Sequence, residues 1–125
     1  MEKSFRQFDE KLLVEIHERT KSIVKGMFQK ESDLILSLQD VILHKVYKAY
    51  KYPNLHKYLT LCMGLSNHAA NDFSVVARAS IRFKKLEQAV ANGNLTVSKA
   101  RHIVPVINKQ NEEKWINEAQ KNTHR

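Results

Sequence analysis

Apolar residues recur along this chain at helical spacing, and the pattern breaks at only a few places. Phe5, Phe8, Leu12, Leu13, Ile16, Ile23, Val24 and Met27 mark one side of an amphipathic helix from Phe5 to Phe28. Glu15 with Arg19 and Glu18 with Lys21 suit the surface pairs of such a helix. Gly26 weakens or ends it, because glycine gives up the most backbone freedom on becoming helical. A second helix is predicted from Ser32, with Leu34, Ile35, Leu38, Val41, Ile42, Val46 and Ala49 on one broad face and Leu36, Leu43, Tyr47 and Tyr50 on a second flank. So wide an apolar face predicts cover on both sides, or dimerisation through it. Tyr52-Pro53-Asn54 stops this helix, since the residue before proline avoids the α region. Residues 1–52 therefore read as an N-terminal helical pair.

Residues 53–125 read as a series of shorter helices. Asn54 can cap Leu55–Met63, with Cys62 on its apolar side as a small core residue. Gly64-Leu65-Ser66 then turns the chain: Gly64 accepts a positive φ at little cost, and Ser66 can cap the next helix. That helix runs from Asn67 to about Phe83, and KKLEQAVANG continues it directly or after a kink. Gly93 stops it, Thr96 caps a short helix with Ala100, Ile103 and Val104 inside, and Pro105 ends or bends that one. Asn108 or Asn111 caps a last helix with Glu112 and Glu113 near its start, docked by Trp115, Ile116 and Ala119. Fraying is expected from Lys121 to Arg125. The predicted fold class is all-α: a single multi-helix domain, the N-terminal pair followed by a helix-turn-helix-containing bundle.

Helix, glycine turn and capped helix form the helix-turn-helix pattern. On the second helix Ala69, Ala70, Phe73, Val76, Ala77, Ser80 and Ile81 gather on one side. Asn67, Asn71, Ser74, Arg78, Arg82 and Lys85 gather on the other, as one polar stripe. Asparagine can pair with an adenine edge, and arginine with guanine or phosphate. The alternative for such a stripe is a solvated helix face with no partner.

Charge sharpens the choice. The chain of 125 residues carries a net charge of +8, with Lys and Arg numbering 21 against 13 Asp and Glu. The excess concentrates in residues 64–111, where seven basic side chains face two acidic ones. A basic balance points to a polyanion, nucleic acid before membrane. Cys62 is the only cysteine, which excludes an intrachain disulfide and a paired-thiolate zinc site. No apolar run approaches the ~20 residues of a membrane span. MEKSFRQFDEK lacks a signal core, so a cytoplasmic protein is expected.

Candidate chemistry is sparse. His17, His44, His56, His68, His102 and His124 are dispersed, without HExxH or CxxC. Three glycines build no phosphate-cradling loop, and no GxSxG, Walker or GxGxxG motif occurs. No catalytic residue, metal or cofactor is expected. Tyr47, Tyr50, Tyr52 and Tyr58 lie among lysines. They read as packing residues with wet hydroxyls or as a stacking surface for single strands.

Several of these residues together resemble the N-terminal helical region of a group of bacterial HNH endonuclease proteins. They are G-x-S-x-x-A-A from Gly64, A-R-A at Ala77 to Ala79, Leu86, G-x-L-T at Gly93 to Thr96, and K-A-R at Lys99 to Arg101. Tyr50 with Pro53 to Leu59 upstream, and Asn111 and Trp115 downstream, fit the same likeness, which covers about Leu34 to Lys121. The G-x-S and G-x-L-[ST]-x-x-x-A-R rhythm is also similar to the helix-turn-helix of ParB/KorB-type partition proteins. Both resemblances imply an all-helical, DNA-associated domain. The chain departs from the first group at Asn71-Asp72, where arginines are usual, and at Lys84-Lys85, where a proline often stands. The nuclease half is absent, as in a fragment or a stand-alone relative, so nuclease activity is not implied.

The expectation is a non-catalytic module for double-stranded DNA. Asn67, His68 and Asn71 would lie near bases, as the N-terminal residues of a docked second helix do. Ser74 completes the stripe, and Arg78, Arg82, Lys84, Lys85, Lys99 and Arg101 would meet phosphates. Six such contacts predict a log–log salt slope of about −5. The rival is an interaction module whose N-terminal helix pair forms a homodimer or docks a nuclease domain, without touching DNA. Neither involves a membrane.

Overall fold

The computed structural model describes residues 2–121, with side-chain surroundings from residue 10 onward. The side chains of Phe5 and Phe8, His124 and the expected fraying after Lys121 lie outside the described residues. Among the described residues seven α-helices follow one another: α1 Glu2–Leu43, α2 Val46–Ala49, α3 Leu55–Lys57, α4 Asn67–Arg82, α5 Lys84–Ala91, α6 Val97–Ile103 and α7 Glu112–Lys121. A π-helical turn, Tyr58–Cys62, extends α3, and a 3₁₀ turn, Val104–Val106, extends α6. No strand occurs among the described residues, so the all-α class holds.

The expected N-terminal pair is instead one helix of 42 residues. Gly26 lies inside it with nothing within 4 Å of where a Cβ would be. A glycine costs about 1 kcal/mol in a helix interior, which a long helix absorbs. Ser32, read from sequence as the start of a second helix, is buried in mid-helix, and its hydroxyl donates to the Val90 carbonyl at 2.7 Å. From there α1 joins the body. Ile35 and Leu38 are buried, and the Gln39 side-chain amide donates to Ser80 Oγ at 2.8 Å. Most of this contact is with α4, with lesser contacts to α5 and α6. Residues 10–30 are exposed throughout and form an arm ahead of the body.

The helix predicted to reach Tyr50 ends at Leu43, where Lys45 turns left-handed at φ 50° and α2 adds one short turn. Beyond it the punctuation falls where the side chains place it. Asn54 Oδ1 accepts from Lys57 N at 2.8 Å, Ser66 Oγ from Ala69 N at 3.1 Å, and Thr96 Oγ1 from Lys99 N at 3.2 Å. Gly64 and Gly93 both lie at φ 82°. Before α7, Asn108 Oδ1 accepts from the backbone of Gln110 and Asn111, both at 2.9 Å, closing the turn that starts the helix. Each satisfies amides that a helix start leaves unpaired.

The core gathers Leu55, Leu59, Val76, Leu86, Val90 and Leu95 between the C-terminal third of α1 and the shorter helices. Two sequence expectations fail around it. Cys62 is exposed, not core. The π turn holds one residue more than an α turn, so Leu61, Cys62 and Met63 rotate outward. Leu65 returns the chain inward, its N–H donating to the Leu59 carbonyl at 3.0 Å. Trp115 is 37% exposed, because α7 turns Glu112, Ile116 and Ala119 inward and Trp115 only flanks that row.

Candidate nucleic-acid interface

The turn and α4 build the candidate surface. Gly64 reverses the chain after the π turn and Ser66 caps α4, so the first helical residues emerge at the outer edge. Ala70, Val76, Ala77, Ala79 and Ser80 face the core. Asn67, His68, Asn71, Arg78 and Arg82 are all exposed. At 100° per residue they occupy about 100° of arc, one continuous face.

The stripe is narrower than the sequence predicted. Ser74 is only 8% exposed, and its hydroxyl donates back to the Ala70 carbonyl at 2.6 Å. It lies at the edge of the arc, where α3 approaches α4, and is withdrawn from any surface contact. Lys85 is not on this helix. α4 ends at Arg82, and Phe83 is extended at φ −118°, ψ 99° before α5 begins. Phe83 is buried, and this anchor supplies the kink.

Several polar groups on the face already have partners. His56 Nε2 lies 3.1 Å from Asn67 Oδ1, so in this contact the ring nitrogen must carry the proton and Asn67 accepts. Bidentate pairing with adenine needs that same oxygen as acceptor. Asn71 has no such engagement. Asp72 lies 3.2 Å from His68 Nε2 and 3.3 Å from Arg101 Nε. Arg101 Nε is buried and makes no aligned hydrogen bond. Lys85 Nζ donates to Glu113 Oε2 at 2.7 Å. That pair pushes the lysine pKa up and the Glu113 carboxyl down. Lys84 stands 3.6 Å from Glu87.

Among the described residues Arg78 and Arg82 are the cations of the face without an acidic partner. Arg82 lies 4.9 Å from the centroid of Phe83, a cation–π contact that steadies the guanidinium while leaving it exposed. A groove of about 360 Å³ separates Arg82 and Phe83 from Asn108 and Lys109. A second, about 300 Å³, runs between Asn54 and His56 on one side and Asn71 and Arg78 on the other. Lys109 and His56 therefore flank the face, though sequence reasoning did not place them there. No periodicity links them to α4, and only the packing of the loop before α7 and of α3 brings them near.

The remaining candidates divide. Lys99, half-buried on α6, belongs to the basic surroundings. Tyr58 is buried and packs edge-on against Tyr52, with ring centroids 5.9 Å apart and Tyr50 at 6.4 Å. Burial raises the Tyr58 pKa, and a hydrogen bond with Cys62 raises that of Tyr52. Tyr58 and Tyr52 pack on one another, while Tyr50 stays exposed at their edge. Among the described residues no cluster of three or more His, Cys, Asp or Glu could hold a metal ion. No described helix is long and apolar enough to cross a membrane. Comparison with known proteins returned no matching family model, no matching curated protein and no matching solved structure.

Proposed function

We propose that this chain is a non-catalytic module that binds double-stranded DNA through α4. One observation carries the reading: Asn71, Arg78 and Arg82 form an exposed polar row on a serine-capped helix behind a glycine turn. In such a module the start of the second helix lies in the major groove. Asn71 and His68 then approach base edges, and Asn67 joins them on releasing His56. Arg78, Arg82, Lys84 and Lys99 meet phosphates. Lys85 and Arg101 contribute after Glu113 and Asp72 let them go, and Ser74 leaves the contact set. The likeness to the helical region of HNH endonuclease proteins supports the same reading, and nuclease activity forms no part of it. A reducing, cytoplasmic setting belongs to the proposal and suits an exposed lone thiol at Cys62.

With Lys84 released from Glu87, these four cations give a log–log salt slope of about −3.5, shallower than six contacts would give. Replacing Arg78 and Arg82 with alanine should flatten the slope by about 2 and weaken all duplexes alike. Lys25→Ala, on the arm, should leave it unchanged. A salt titration of binding to random duplex reads both. An unaltered slope in the double variant removes α4 from the interface.

A second reading, an association module, has its own observation. The arm of α1 exposes Leu13, Ile23 and Met27 to solvent, at 58%, 64% and 54%.

A further inference from the structure

The arm of α1 is an amphipathic helix with no partner among the described residues. Leu12, Leu13, Ile16, Ile23, Val24 and Met27 are all exposed. At 100° per residue they fall within about 120° of arc, with Thr20 in the same row. Leu38, buried in the body, lies about 20° round from Met27, so the side of α1 that packs on the body continues outward along the arm. Residues 10–30 extend it by about 30 Å. Soluble monomers rarely leave so long an apolar stripe bare, and a helix with this composition gains most of its stability from packing.

Charge identifies the occupant. The first half of the arm carries Glu10, Glu15 and Glu18 against Lys11. The second half carries Arg19, Lys21, Lys25 and Lys30, with no acid before Glu31. Glu15, Arg19, Lys21, Lys25 and Lys30 make no ion pair among the described residues. Two copies side by side in parallel would set like halves together. Two copies antiparallel set the acidic half of each along the basic half of the other.

We propose that residues 10–30 pair with the same stretch of a second copy of this chain, antiparallel, about a twofold axis near Thr20. With the axis there, Leu13 is level with Met27 of the second copy, and Ile16 with its Val24. Glu10 is then level with Lys30 and Glu15 with Lys25, while Thr20 meets its own copy. Such an interface is isologous and closes at two subunits. The two bodies stand at opposite ends of the paired arms. This pairing rests on the association reading and is independent of DNA contact.

The chain of 125 residues has a mass of 14.6 kDa. Sedimentation equilibrium at micromolar concentration should return twice that mass. Ile16→Glu with Ile23→Glu should weaken the dimer more than about a hundredfold while the body keeps its near-UV signal, since four buried isoleucines are lost per dimer. A monomer at all concentrations overturns the pairing and the association reading together. Orientation is read by cross-linking in a Cys62→Ser background. Mixed Leu13→Cys and Met27→Cys chains should form the mixed disulfide in preference to either homodisulfide. Dominant homodisulfides overturn the antiparallel pairing and leave association standing.

Discussion

Lys85 looks, in the sequence, like one more cation of a polar stripe, but its Nζ donates to Glu113 at 2.7 Å across two helices. The carboxyl of Glu113 is held below its ordinary 4.5, first by that hydrogen bond and then by the lysine charge. A depressed carboxylate stabilises the fold above its unfolded pKa and loses that contribution as pH falls through the folded one. Lys85 is raised above its ordinary 10.5, so its contribution persists below that value and is lost at higher pH. Glu113→Gln should therefore lower Tm slightly at neutral pH, and the difference should fade as pH falls through the carboxyl's depressed folded pKa. The same variant frees Lys85, so duplex affinity at low salt should rise. Thermal melts at two pH values and a binding titration read the two effects separately. Ser74 shows the same limit of sequence reasoning: its angle puts it at the border of the face, and only its bond to Ala70 decides inside from outside.

Elements respond to their ends and to one another. Gly64 and Gly26 give opposite expectations for the same substitution. Gly64 is at φ 82°, where an alanine Cβ is strained, so Gly64→Ala should cost about 1 kcal/mol by denaturant unfolding. Gly26 is an ordinary helical residue with open space around it. Gly26→Ala should raise the helical circular dichroism of the arm, favouring helix by about 1 kcal/mol. A loss of helicity there would mean that the arm breaks at Gly26. At α5 no local side chain caps the start, because Phe83 occupies the cap position. Glu112, on α7, supplies the acceptor instead, taking the Lys85 N–H at 3.2 Å. The acidic pair read from sequence as the start of α7 thus also completes a second helix, which a scan along the chain cannot see.

The whole molecule divides into a packed body and a helical arm. In the body Ile35, Leu55, Leu59, Leu86 and Leu95 are almost fully buried, and the third of α1 that carries Ile35 and Leu38 shares their stability. Local stability follows such burial. In dilute solution, amides of residues 10–30 should exchange with solvent far faster than those near Ile35 and Leu38. Raising the concentration should protect the arm and leave the body unchanged. Exchange measured by mass spectrometry at two concentrations reads this. Equal protection along all of α1 at high dilution would show that the arm needs no partner.

The sequence by itself determined the helical class, the cap residues Asn54, Ser66 and Thr96, the turns at Gly64 and Gly93, and the outward placing of Asn67, Asn71, Arg78 and Arg82. Each follows from local physics: apolar period, a side-chain oxygen at a helix start, a left-handed φ, or a spacing within one helix. Only the tertiary structure decided the rest. It joined the two predicted N-terminal helices, because neither Gly26 nor Ser32 meets a competing turn and Ser32 bonds Val90 58 residues away. It turned Cys62 out through a π turn, and it withdrew Lys85 and Arg101 into ion pairs with Glu113 and Asp72. These outcomes depend on groups far apart in the chain meeting in the fold, and spacing along one strand of sequence carries no information about such meetings.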